Sequence, residues 1–168
     1  HIIMAAGLDP TVMIGGTLPL LGAGHRVGHG DTIIAEACEY CNSFLSFCPT
    51  VAVILNVEED HLDFFRDRAD IQRSFRSCAQ LVPDRGWVVV NGDNPNALQA
   101  MRFSLRDSSA DCRADHIFWN KGLPEFDIVV HGVKYAHAAL NVGGSHNISN
   151  ALAAACAAYV LGVPGSAV

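Results

Sequence analysis

The spacing of hydrophobic positions changes period several times along the chain, and each change marks an element. Residues 32–35 (TIIA) and 50–57 (TVAVILNV) are unbroken apolar runs rich in β-branched side chains. Such runs suit strands covered on both faces, as in a parallel sheet flanked by helices. Residues 11–15 (TVMIG) and 87–91 (WVVVN) read as further strands. A period near 3.6 takes over after Asp70, read as the cap. Ile71, Phe75, Cys78, Ala79 and Val82 share one face there, and Pro83 ends the helix. The same period returns over 147–161, with Ile148, Leu152, Ala155, Cys156 and Tyr159 inward and Gly162 and Pro164 closing the run. Shorter helices are predicted over 42–47 and 94–101, and residues 1–7 read as helical turns stopped by Gly7.

Between 115 and 142 the pattern becomes strands in succession, over 115–119, 126–131 and 133–140, with Gly122, Pro124 and Gly132 in the turns. The Gly-rich stretch from Gly15 to Gly30 reads as turns and hairpins. Its loose GxG lacks the strand-then-helix setting of a dinucleotide site. Strands alternating with helices, followed by a run of strands, predict an α/β fold. Its mostly parallel central sheet is flanked by helices and carries a β-rich extension.

Composition narrows the class. With 168 residues, half of them apolar and 17% charged, the chain predicts one well-buried domain over 1–168. A net charge of −6 argues against a nucleic-acid partner or an anionic membrane surface. No apolar stretch reaches the roughly 18 residues of a membrane span. Six cysteines show no regular framework, and a core of this size needs no disulfides, which fits a reducing cytoplasm. The chain opens at His1 without a leader pattern and reads as a piece of a longer protein.

Two of the apolar runs end in acid: Glu36 and Glu39 after the first, then Glu58, Glu59, Asp60, His61 and Asp63 after the second. Ligands of open α/β sheets bind beyond the carboxyl ends of the strands. Carboxylates gathered there repel one another unless a cation lies between them. Mg²⁺ prefers oxygen ligands, and an imidazole such as His61 also suits Mn²⁺. The competing reading is a solvated, helix-starting acidic turn. A second polar group, Ser145-His146-Asn147-Ile148-Ser149-Asn150, stands where the last strand meets the last helix. Asn147 and Asn150 are three apart on one helical face, and each amide pairs a donor with an acceptor, as the edge of adenine requires. Against this stands a plain polar cap on Ser145 or Asn147. Cys38 and Cys41 form one CxxC, a weak signal for zinc, and the histidines at 25, 29, 116, 131 and 137 are scattered.

Three segments, taken in order, resemble one known family. They are AGLDPTVMIGG (6–16), AEACEYCNSFLSFCPTVAVILNVEEDHLDFF (35–65) and SHNISNALAAACAA (145–158). They are similar to the central, ATP-binding domain of the Mur ligase family, and most of all to its alanine-adding branch. The resemblance implies a carboxylate–amine ligase that spends ATP and passes through an acyl phosphate. UDP-N-acetylmuramate and L-alanine would be the substrates of the full enzyme. It implies Glu36 and His61 as catalytic residues and ligands of Mg²⁺ or Mn²⁺, with Asn147 and Asn150 on the adenine. Glu39 and His146 are implied near the substrate. Where many relatives read EADES, this chain reads Glu36-Ala37-Cys38-Glu39-Tyr40. Neither of its two lysines, Lys121 and Lys134, lies in a GxxGK[ST] phosphate loop. By this reading the chain lacks that loop and the flanking domains and is inactive alone. A recycling ligase that attaches a murein tripeptide, or a non-catalytic module of the same fold, are the alternatives.

Overall fold

The computed structural model describes residues 1–94 and 100–168. Its larger sheet has six strands in the order β4-β5-β6-β7-β8-β9. These are β4 (Val51–Ile54), β5 (Trp87–Asn91), β6 (Met101–Ser104), β7 (Cys112–Asn120), β8 (Leu123–Val130) and β9 (Val133–Ala139). The pairs from β4 to β7 are parallel, whereas β8 and β9 fold back as antiparallel hairpins. Two-residue turns make both reversals. Lys121-Gly122 and His131-Gly132 each adopt positive φ at both positions, the geometry that matches strand twist. Pro124, expected in a turn, is instead buried within β8 opposite Trp119.

Because β8 reverses and β9 reverses again, β9 runs in the direction of β4–β7. It therefore delivers the chain to α3 (Ser145–Val160) at the carboxyl edge of the parallel strands. Helix α3 then crosses the sheet and forms the main core with it. Phe103, Cys112, Phe126, Ile128, Ile148, Leu152, Ala155 and Cys156 are all fully buried there. Alanines dominate the helix, and their small side chains let it lie close to the strands. Tyr159, expected inward, is 40% exposed; Ala153 and Ala158 are buried instead. A tyrosine ring is too large for that close seam, and this one stands edge-on to Tyr135 at 5.4 Å.

A second core joins Ile54, Val57, Phe65, Ile71 and Val90, with α2 (Arg68–Gln80) as its cover. Asp67, not Asp70, caps α2: its Oδ1 accepts the Asp70 N–H at 2.8 Å. Asp70 lies one turn in, accepting from the Arg66 N–H and the Arg73 guanidinium.

A smaller sheet, β2-β1-β3, precedes these elements and follows α1 (Ile2–Ala5). Strand β1 (Thr11–Leu18) pairs antiparallel with β2 (Ala23–Arg26) and parallel with β3 (Ile33–Ala35). The reading of 32–35 and 50–57 as strands covered on both faces does not hold. Among the described residues β3 pairs with β1 alone, and Ile33 is 75% exposed. β4 is an edge strand that buries Ala52 and Ile54 and turns Val53 outward. The helix predicted over 94–101 falls mostly on 95–99, outside the described residues, and Met101 opens β6.

Candidate functional site

Glu36 follows β3 directly. Its N–H donates to the Met13 carbonyl at 2.8 Å, and its carboxylate Oε2 accepts the Gly15 N–H at 2.6 Å. Glycine at 15 leaves room for this approach, since a Cβ there would stand 3.3 Å from that oxygen. Beyond Glu36 the chain enters a 3₁₀ segment, Tyr40–Ser46. It is kinked where Cys41 and Asn42 take left-handed φ values of 53° and 56°. The kink begins two residues after Glu39, which is half-buried.

The second acidic run leaves β4 at the carboxyl edge of the larger sheet. Asn91, at the end of β5, donates from Nδ2 to Asn56 Oδ1 at 3.3 Å. His61 then forms the corner of a tight turn with φ of 52°, and its carbonyl accepts the N–H groups of both Phe64 and Phe65. Buried Phe65 anchors that turn in the core under α2. A left-handed φ is costly for a residue with a Cβ and persists only where the surroundings impose it. Asp60 adds to the constraint by accepting the His61 N–H at 2.7 Å.

These two loops meet. His61 Nε2 lies 3.5 Å from Glu39 Oε1, and His61 Nδ1 lies 3.9 Å from Asp60 Oδ1. One ligand atom from each of Glu39, Asp60 and His61 falls within 4.8 Å of the others. Two carboxylates beside an imidazole suit a small divalent cation, which removes their repulsion and accepts oxygen and nitrogen donors together. Tyr40 covers the imidazole, with ring centroids 4.7 Å apart, and donates from its hydroxyl to Asp63 Oδ2 at 2.9 Å. Asp63 beside it raises the phenol above its ordinary pKa, so the hydroxyl remains a donor.

Glu36 stays on Gly15, outside this trio. Among the described residues no cysteine belongs to a compact metal-ligating group; Cys38, Cys41 and Cys48 are free and exposed. At the start of α3 the cap position is Gly144, with φ of 99°, and no side chain caps it. Asn147 turns its Nδ2 back to the Gly143 carbonyl at 2.7 Å. Asn150 and His146 are exposed on the first turns of the helix. Gly143 itself abuts the β7–β8 turn, where a Cβ would meet the Gly122 carbonyl oxygen at 2.7 Å. The His61 turn and the start of α3 thus both lie at the carboxyl edge of the larger sheet. Asp60 and Asp63 belong to the acidic run legible in the sequence, but only the folded geometry shows that Asp60 lies with Glu39 and His61, that Asp63 accepts from Tyr40 and that Tyr40 covers the imidazole.

Residues 22–158 match the family model of the Mur ligase middle domain. The chain belongs to the Mur ligase family. Over 170 residues this Mur ligase domain is 41% identical to the UDP-N-acetylmuramate–L-alanine ligase of Clostridium novyi, covering 98% of this chain and 37% of that protein. The ligase of the same name from Caldanaerobacter subterraneus is 39% identical, with 96% and 37% covered. The chain therefore spans little more than a third of either relative. Among solved structures, UDP-N-acetylmuramate-alanine ligase from Thermotoga maritima superposes with a TM-score of 0.83 at 22% identity, over 96% of this chain and 37% of that one. UDP-N-acetylmuramate:L-alanyl-gamma-D-glutamyl-meso-diaminopimelate ligase from Neisseria meningitides gives 0.82 at 25%, over 99% and 58%. These superpositions support the α/β architecture of the Mur ligase domain, a mostly parallel sheet flanked by helices. No helix among the described residues is long and apolar enough to cross a membrane.

Proposed function

We propose that residues 1–168 form the central domain of a cytoplasmic, ATP-dependent ligase. The enzyme would join L-alanine to the carboxylate of UDP-N-acetylmuramate in the synthesis of a peptidoglycan precursor. The observation that carries this reading is the meeting of Glu39, Asp60 and His61 at the carboxyl edge of the sheet, in a chain 41% identical to a ligase of that name.

Both a carboxylate substrate and a triphosphate are anionic, so bringing them together needs concentrated positive charge. Mg²⁺ or Mn²⁺ would supply that charge, held by His61 with Glu39 and Asp60, and by Glu36, which follows β3 of the smaller sheet. The protein's part is to fix these donors before the substrates arrive. The His61 turn is set by backbone bonds to Phe64 and Phe65, and Glu36 is set by the Gly15 N–H. Asn150, exposed on α3, offers its amide for the edge of adenine, and Asn147 is the local strut that holds the start of α3 against Gly143. His146 stands exposed beside them, where the substrate role implied for it requires access.

The test is a chimera in which these 168 residues replace the matched segment of the Clostridium novyi ligase. Phosphate release is measured with UDP-N-acetylmuramate, Mg·ATP and L-alanine. Release that depends on L-alanine and falls about a hundredfold or more in Glu36→Ala and His61→Ala is the expected result. Release with a murein tripeptide in place of L-alanine would reassign the amine. A soluble chimera that releases none with either amine would overturn the ligase reading.

A further inference from the structure

The proposed cation site leaves one requirement unmet. A ligating imidazole has to be held in one ring plane, and among the described residues His61 has no close hydrogen bond from either ring nitrogen; carboxylate oxygens of Glu39 and Asp60 lie 3.5 and 3.9 Å away. What bounds the ring is Tyr40, tilted 39° at 4.7 Å. Tyr40 is itself fixed at two points. Its hydroxyl donates to Asp63 at 2.9 Å, and its ring meets the edge of Phe64 at 6.1 Å. Asp63 and Phe64 belong to the same turn as His61, whereas Tyr40 follows Glu39 directly. The residue next to one carboxylate ligand therefore grips the turn that carries the imidazole, and among the described residues no other hydrogen bond in the site joins the two loops so directly.

We propose that Tyr40 is a positioning residue of the cation site. Its ring sets the plane of His61, and its hydroxyl, through Asp63, sets the separation of His61 from Glu39. The proposal rests on the reading of Glu39, Asp60 and His61 as cation ligands. Groups that orient metal ligands from behind change metal affinity by about 10–100-fold when removed. Tyr40 is exposed on one side and contributes to neither buried core, so its replacement perturbs the site without opening the interior.

The experiment is Mn²⁺ titration of the 168-residue chain, read by the electron-paramagnetic signal of free Mn²⁺. It is paired with NMR of the His61 ring protons, whose shifts report the covering aromatic ring without metal. Relative to the wild type, His61→Ala should weaken Mn²⁺ binding about tenfold or more and Tyr40→Leu about tenfold. Tyr40→Phe keeps the ring and loses the hydroxyl. It should weaken binding about threefold, leave the His61 shifts near their original values, and make a further Asp63→Ala change without effect. If Tyr40→Leu and Tyr40→Phe bind Mn²⁺ within twofold of the wild type while His61→Ala does not, the positioning role is wrong. If His61→Ala binds as the wild type does, the cation site itself is misplaced and the inference falls with it.

Discussion

The sheet beneath α3 and the turn that carries His61 are held by different forces. Under α3, Phe103, Phe126, Ile128, Leu152 and Cys156 are sealed from water, and each contributes packing that no ligand is needed to complete. Around His61, Phe65 and Val57 are buried, but Leu62 is 60% exposed and Phe64 is exposed as well. Beside the Tyr40 ring contacts with His61 and Phe64, what remains there is polar: the Tyr40 hydroxyl to Asp63, the His61 N–H to Asp60 and the Gly15 N–H to Glu36. Left-handed backbone at Cys41, Asn42 and His61 adds cost in the same region. The contrast indicates a division of labour. The larger core lies under α3, whereas the His61 side combines the smaller core under α2 with close-set acids and a left-handed corner.

The largest effect expected from this contrast lies in the packed half. Phe126→Ala removes a fully buried ring between β8 and α3 and should cost about 3–5 kcal/mol in urea unfolding. In the site half, Asp67→Ala removes the cap of α2 and should cost about 1 kcal/mol, loosening the helix behind the His61 turn. A subtler effect is expected on the outer face of the hairpins. Asp127 accepts from Lys134 at 2.7 Å, from His137 at 2.8 Å and from His116 at 3.2 Å, which holds its carboxyl well below the usual range. Asp127 first, and Glu125 second, raise His137 above its ordinary 6.5. A raised histidine stabilises the fold fully below that ordinary value and loses its contribution as pH rises through the folded one. The lowered Asp127 contributes above 3.8 and loses its part as pH falls through its folded value. The melting temperature should therefore decline modestly on the alkaline side of about 6.5, and His137→Gln should flatten that limb while leaving most of the acid limb. The smallest effect is expected in the small sheet, where Ile33→Ala should change stability by less than about 0.5 kcal/mol because Ile33 faces water. A cost like that of Phe126→Ala would mean that β3 is covered, contrary to this account.

How far the sequence reveals the molecule also follows this division. Strand β5 is legible to the residue, because WVVVN is a β-branched run bounded by Gly86 and Gly92. Helix α3 and both hairpins are legible for similar local reasons: a 3.6-residue period, and glycine at each turn. Strand β6 is not, since MRFS is short and its place depends on distant side chains. Asp111 accepts the Arg102 N–H, and Asp93 accepts from the buried Ser104 hydroxyl. β3 misleads because TIIA has the composition of a covered strand, yet its pairing partner is the small sheet. Within the site, resemblance marks Glu36 and His61, but spacing alone shows neither that Glu39 is the acid beside His61 nor that Tyr40 covers it. Both depend on how the loops 36–46 and 56–66 meet in the fold, with the chain kinked at Cys41 and Asn42 directly after Tyr40.

The most direct measurement is hydrogen exchange on the 168-residue chain with and without Mn²⁺. Amides of β5 to β8 and α3 should exchange slowly in both conditions, and those of residues 36–46 and 56–66 should exchange fast and slow markedly when Mn²⁺ is added. Equal protection of the two regions without metal, or no response of 36–46 and 56–66 to Mn²⁺, would contradict a packed scaffold carrying a cation-ordered site.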